Sequence, residues 1–324
     1  MALARSARRY AHWLLQVQRA PRQQRSVAKT VHQNAQMPRR QIKSGNHWAC
    51  ETQGLRPAAP IHSCAPRQVR LDHNMDAAET IRHAVAQVAR LRKLASGNPA
   101  LGGAVRQIKQ IQSRRFASTY ADLIAGDDYG AAARFFLDEL YGETNYEQRD
   151  AQFSRIAGAL QRLLPKAALA TAVSLAELHG LSEDLDHAMA QAWLIGALPA
   201  DSCEAKRYVW AWRDVGRRED RTSQLRVVLA IGAELDRLTR KPGLRLMLKM
   251  MRRPAVAAGL GALQHFLEVG FDTFASMGER VHGAQGFLAI VRERESRLID
   301  MLFDAGAASC EIEIARIMSG CAAR

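Results

Sequence analysis

The sequence predicts an all-α protein whose body is a compact multi-helix bundle of about nine or ten helices. Alanine and leucine dominate the apolar residues, and both rank high in intrinsic helix propensity. From Met75 onward, apolar residues recur at intervals of three and four, as one buried helix face requires. Strand-like alternation is limited to the short segment 311–314, which is too brief to predict a strand.

The first three helices follow from apolar spacing and turn residues. Helix one carries a face at three- and four-residue steps, formed by Ile81, Val85, Val88, Leu91 and Leu94. The segment Ser96-Gly97-Asn98-Pro99 predicts its end and the start of a second helix, which continues to about Gly126. A third helix is expected from Asp127 or Asp128 to Gly142.

Later helix boundaries are predicted from caps and prolines. Thr144 and Glu147 fit a capping box, in which each side chain satisfies an otherwise unpaired backbone amide. This fourth helix runs to 164, and Pro165 opens a fifth that ends near Gly180. Ser182 is expected to cap a sixth helix. Further helices are predicted at about 201–215, 219–239, 243–252, 255–276 and 279–304.

Charge divides the chain into segments. Residues 1–74 hold 13 Lys and Arg against two acidic residues, a net charge of +11, whereas the remainder is close to neutral at +3. We therefore predict a basic N-terminal segment over 1–74, a helical domain over 75–305 and a short tail over 306–324. The N-terminal segment has three interpretations: an over-extended start before Met75, which we favour, an organellar targeting peptide, or a disordered arm that binds nucleic acid.

Cysteine usage and hydropathy indicate the compartment. The five cysteines form no CxxC pair, so neither a disulfide framework nor a zinc site is predicted, and a reducing, cytoplasmic location is expected. The apolar run 254–263 is far shorter than the roughly 20 residues that cross a bilayer, so no transmembrane segment is predicted.

One block of the sequence carries a family resemblance. It contains Phe135-Phe136-Leu137, Leu140-Tyr141-Gly142 and the pair Arg149-Asp150. It resembles a family of bacterial all-helical proteins with an FFLxxLYG signature followed by an RD pair, a family with no assigned function. The resemblance implies a bacterial, cytoplasmic helical domain and transfers no catalytic residue. It extends over most of residues 75–305.

The signature residues have a structural and a functional interpretation. The structural one, which we favour, places Phe135, Phe136 and Leu140 in the core, because aromatic residues at helical spacing are usually buried. Gly142 suits the left-handed residue that ends a helix. The functional interpretation is that the two phenylalanines and Tyr141 line a ligand pocket.

A basic cluster is the best candidate for a binding surface. Its candidate residues are Arg217, Arg218, Arg221, Arg245, Lys249, Arg252 and Arg253. The first three lie where a helix begins, and helix N-termini attract anions. The later ones alternate with leucine and methionine, a pattern typical of helices that lie on an anionic membrane or grip a partner helix. The alternative, which we favour because the body as a whole is nearly neutral, is a solvated basic face whose charges pair with acids elsewhere in the fold.

Metal and haem chemistry have weaker candidates. Glu279 and His282 form a Glu-x-x-His pair of the kind used in carboxylate-bridged metal sites, and His265 is flanked by apolar residues as a haem ligand would be. These positions support the hypothesis of a metal- or haem-containing enzyme or sensor. We predict no cofactor, because helix-face residues in solvent explain the same pattern.

The predicted function is therefore non-catalytic. The sequence contains no nucleophile elbow and no glycine-rich phosphate loop. We expect a cytoplasmic helical domain that binds a partner protein or a small anionic ligand. Nucleic-acid binding through residues 1–74 is the remaining alternative and is not favoured, since the body is nearly neutral.

Overall fold

The computed structural model describes residues 76–139, 146–163, 166–196, 198, 202–278 and 282–319. Within these residues the secondary structure is helical, which confirms the predicted all-α class. Twelve helices are present, a few more than expected. They are α1 Ala77–Ser96, α2 Pro99–Thr119, α3 Ala121–Ala125, α4 Gly130–Glu139, α5 Glu147–Leu163, α6 Lys166–Ile195, α7 Glu204–Val215, α8 Arg218–Thr239, α9 Leu244–Ala257, α10 Gly261–Met277, α11 Gly283–Asp304 and α12 Ala307–Met318.

Helix α6 is one helix where the sequence predicted two. Gly180, the expected stop, lies inside it and approaches Ala84 of α1, so a side chain at this position would touch that neighbour. Ser182, the expected cap, instead donates its hydroxyl hydrogen bond to the Leu178 carbonyl at 2.8 Å. Tertiary packing against α1 and α2 therefore overrides the two local stop signals.

Other helix boundaries also differ from the prediction. Pro254 lies within α9, which continues to Ala257 instead of ending near 252. The predicted second helix divides into α2 and the five-residue α3, with Tyr120 between them. The predicted C-terminal tail contains α12, whose Cys310 and Ile314 are fully buried.

Three apolar clusters form the core. The first joins α2, α6, α7, α11 and α12 around Ile108, Met189 and Tyr208. The second joins α2, α4, α10 and α11 around a group of phenylalanines, and the third joins α1, α5, α6, α9 and α10. Helix α6 packs against α1, α2, α7 and α8, and thus connects the front and rear of the chain.

Candidate functional site

Helix α9 carries apolar side chains on both of its faces. Gly243, with φ of 82°, precedes it in the left-handed conformation that glycine adopts without strain. One side is anchored by Met251 and Ala255, which are buried in the third core cluster. On the other side, Leu246 is 63% exposed and Met250 is 59% exposed. A helix that only covered a core would place polar residues there.

Two unpaired cations accompany these exposed apolar residues. Lys249 and Arg253 are exposed and belong to no ion pair within the described part of the chain. They alternate with the apolar residues at steps of three and four, so all lie along one strip of the helix. We call this strip the α9 face; it consists of Leu246, Lys249, Met250, Arg253 and Val256.

The other two cations of α9 face the neighbouring helix α10. Arg245 contacts Asp272, with its Nε 2.7 Å from a carboxylate oxygen. Arg252 donates from Nε and Nη2 to Glu268, at distances of 2.5–3.1 Å. The hydrogen bond from Arg252 lowers the pKa of Glu268 below its ordinary value. These pairs neutralise half of the charge on α9 and leave Lys249 and Arg253 as its net positive charge.

Hydrogen bonds fix the position of α9 on the domain. Gln264 of α10 donates to the Leu248 carbonyl at 2.8 Å, which ties the middle of α9 to its neighbour. Arg155 of α5 donates to the carbonyls of Ala258 and Gly259, both at 2.9 Å, where α9 ends. The α9 face therefore lies on a helix that is anchored to its neighbours at its middle and at its end.

The predicted cations at the start of α8 already bind carboxylates of the same domain. Arg217 contacts Asp184 and Asp220 at 2.5 and 2.6 Å. Arg218 contacts Asp300 at 2.6 Å and also pairs with Asp304. The third residue, Arg221, is buried, with its guanidinium 4.2 Å from the ring centre of Trp212. The structure thus separates the basic cluster into an α8 group with internal partners and the α9 group.

An ionic network that the sequence analysis missed lies between α1, α2, α5 and α6. Arg92 donates to Asp150 at 2.9 Å and to Glu183 at 3.2 Å. His179 Nε2 lies 2.9 Å from the same Asp150 oxygen, and Lys109 lies 2.8 Å from Glu183. Burial alone would raise the pKa of Asp150, but the hydrogen bond with His179 and the nearby cations outweigh it and lower the pKa.

A second, deeper polar group adjoins this network. Gln112 donates to Asp186 at 2.9 Å, and both side chains are buried. Arg115 and the Tyr120 hydroxyl donate to one carboxylate oxygen of Glu295, at 3.1 and 3.0 Å. Burial raises the pKa of Asp186 despite the charges of nearby cations, because the interior disfavours the charged form of this carboxyl.

We expect the free energy of unfolding of Asp186→Asn to increase relative to that of the wild type as pH rises. A carboxyl whose pKa is raised by folding contributes its full stability below its unfolded pKa, near 3.8, and loses that contribution as pH rises through the folded pKa. Asparagine keeps the shape and cannot ionise. Urea unfolding at pH 3.5 and at pH 8 measures the free energies of unfolding of both proteins. The stability of the variant relative to the wild type should be higher at pH 8 than at pH 3.5. The same difference at both pH values would contradict a raised pKa for Asp186.

The described signature residues lie in the core and its ionic contacts. Phe135 stacks on Phe266 with ring centres 5.9 Å apart, and Phe136 meets Phe287 edge to face at 5.3 Å. Arg149 lies over the Phe266 ring at 4.6 Å. These contacts agree with the structural interpretation of the block. Leu140, Tyr141 and Gly142 lie outside the described residues.

The structure describes two of the three metal and haem candidates, His265 and His282. His265 is exposed on α10, and His282 is exposed at the start of α11. Glu279 lies outside the described residues. In the part of the chain that the structure describes, no three histidine, cysteine or acidic side chains are placed to hold a metal ion.

The geometry defines an all-helical domain with one exposed basic and apolar face and a buried ionic network. A family model described as a domain of unknown function, DUF8198, matches residues 91–309, more than half of the chain. The protein therefore belongs to the DUF8198 family. Neither the curated proteins nor the solved structures contain a match. No described helix is both long enough and apolar enough to cross a membrane.

Proposed function

We propose that this protein is a non-catalytic helical domain that binds a partner protein through the α9 face. The observation that carries the proposal is the combination of large exposed apolar side chains and unpaired cations on one strip of a well-anchored helix. We further propose that it acts in the cytoplasm; this is supported by Cys203 and Cys310, which are both free thiols.

The apolar residues of the α9 face supply the driving force for binding. Leu246, Met250 and Val256 each expose more than half of their surface. Burying one such side chain completely contributes about 1.5–3 kcal/mol, before the costs of association. Methionine adapts its shape to different neighbours and is common at surfaces that bind helical segments. The matching occupant is an amphipathic helix with an apolar seam.

The cations specify the charge of that helix. Lys249 and Arg253 flank the apolar residues and form no ion pair with any carboxylate among the described residues. A partner with glutamate or aspartate beside its apolar seam would neutralise both. Such complementary charges raise the association rate and select the partner, even when each exposed pair adds little affinity.

Two other occupants fit the α9 face less well. An interfacial membrane helix usually carries Trp or Phe beside its leucines on a long apolar side, and α9 has leucines but no aromatic residue. A small anionic ligand needs a concave site that surrounds it, whereas Lys249 and Arg253 project from an exposed helix face.

Reversing both free cations tests the proposal. The probe is a fluorescently labelled helical peptide of about five turns, with leucine at three- and four-residue steps and glutamate on both sides. Lys249→Glu with Arg253→Glu should weaken its binding by roughly tenfold, because two exposed attractions of up to about 1 kcal/mol each become repulsions. Fluorescence anisotropy at two salt concentrations measures the change and its electrostatic origin.

The matched control makes the same change of charge on other helices. Arg226→Glu with Arg292→Glu reverses two exposed cations on α8 and α11 that belong to no ion pair of the described residues. This variant should bind the peptide as the wild type does. If both variants lost the same affinity for the peptide, the net charge of the protein would explain the effect, and the proposal would be overturned. Binding to phosphatidylserine vesicles without binding to the peptide would assign the α9 face to a membrane instead.

A further inference from the structure

Three methionines of α9 differ sharply in exposure. Met250 is 59% exposed at the centre of the α9 face, Met247 is half-buried, and Met251 is 8% exposed. In the core, Met189 and Met277 are almost completely buried. One helix therefore presents a single accessible thioether beside two shielded ones.

An exposed methionine thioether reacts with peroxides. The sulfur lone pair attacks the peroxide, the O–O bond breaks, and one oxygen is transferred to sulfur while the other leaves as water after proton transfer. Sulfur is oxidised by two electrons and hydrogen peroxide is reduced by two. The product, methionine sulfoxide, is polar, and methionine sulfoxide reductases reverse the reaction.

We propose that Met250 is a reversible oxidation site that controls the α9 face. The proposal rests on the proposed function, because the consequence of oxidation is the loss of partner binding. Met250 lies between Lys249 and Arg253 and one turn after Leu246, so the sulfoxide oxygen would lie at the middle of the contact. Burying that oxygen against an apolar seam is unfavourable, and Lys249 or Arg253 could donate a hydrogen bond to it only by leaving the carboxylates of the partner.

The selectivity of oxidation is the first test, and it does not depend on any partner. Folded full-length protein is treated with increasing hydrogen peroxide, digested and analysed by mass spectrometry. Cleavage after Lys249 and Arg252 leaves Met250 and Met251 in one fragment, so fragment ions must separate them. Met250 should be oxidised before Met251, Met189 and Met277, with circular dichroism unchanged. Oxidation of Met251 at the same rate would overturn the proposal.

Binding of the acidic helical peptide is the second test. Oxidised protein should bind roughly tenfold more weakly than reduced protein, and sulfoxide reductase treatment should restore binding. Met250→Leu should bind the peptide with or without peroxide treatment. Met250→Gln should bind the peptide weakly even without peroxide. Met247→Leu should lose peptide binding after peroxide treatment, as the wild type does.

The outcomes separate the two proposals. If the reduced protein does not bind the peptide, the proposed function fails, whatever the pattern of oxidation. If the reduced protein binds and its Met250 sulfoxide form binds equally well, the oxidation switch is wrong and the binding function stands. Peroxide sensitivity that persists in Met250→Leu would likewise overturn the switch.

Discussion

Replacing Glu295 with alanine is expected to lower the free energy of unfolding by about 3–5 kcal/mol, the cost of breaking a buried ion pair from one side. Glu295 accepts hydrogen bonds from Arg115 and Tyr120, whose side chains are almost completely buried. Alanine removes the carboxylate but leaves the guanidinium in the interior. Urea unfolding gives the free energy, and thermal melting should show a decrease of about 6–20 °C.

A neighbouring ion pair provides the matched control. Arg294, one residue earlier on α11, contacts Asp122 at 2.7 Å, but Asp122 is 60% exposed. Asp122→Ala should therefore cost only about 1 kcal/mol or less, since water replaces the lost partner. A double-mutant cycle with Arg115→Met and Glu295→Leu isolates the coupling of the buried pair. If Glu295→Ala and Asp122→Ala lowered the free energy of unfolding equally, burial of the ion pair would not explain the cost, and the prediction would be wrong.

The contacts of the buried ionic groups could not be predicted from the sequence. Arg92 and Asp150 are 58 positions apart, and Arg115 and Glu295 are 180 apart. Each of these residues, taken alone, is an ordinary charged residue on a helix. Only the packing of four or more helices brings the charges together, and no local spacing predicts that arrangement. The RD pair was visible as part of a signature, but its contacts with Arg92 and His179 were not.

The α9 face was partly predictable because its signal is local. A helix that alternates cations with leucine and methionine can be read from a few turns of sequence, and the positions of Lys249 and Arg253 followed directly. What the sequence could not decide was which cations have partners. Arg245 and Arg252 are neutralised by acids 27 and 16 positions away, on a helix that packs alongside.

The predicted helix ends were wrong where tertiary packing opposes the local preference of a residue to end a helix. Gly180 is a poor helix residue, yet α6 continues through it, because the buried side chains of Leu178 and Leu185 hold the flanking turns against the domain. Pro254 removes one backbone donor within α9, and the burial of the adjacent Ala255 and of Met251 holds the helix together across it. Residues that usually end helices are therefore tolerated when the next turn is buried.

Replacing Phe136 with alanine is expected to cost about 3–5 kcal/mol, as for other buried phenylalanines. Its ring is 4% exposed and contacts the rings of Phe135 and Phe287. Truncation leaves a cavity because the two neighbouring rings, held by helices α4 and α11, cannot close it. Urea unfolding measures the loss of stability. The dependence of the free energy of unfolding on urea concentration should keep its wild-type value.

The Phe136 variant also decides between the two interpretations of the signature. If the ring is core, Phe136→Leu should recover much of the stability, since leucine fills most of the cavity that alanine leaves. Peptide binding to the α9 face should then be unchanged in both variants at temperatures where they remain folded. A Phe136→Ala protein as stable as the wild type would instead identify the ring as lining a pocket, because residues that line binding sites contribute less to folding than core residues do.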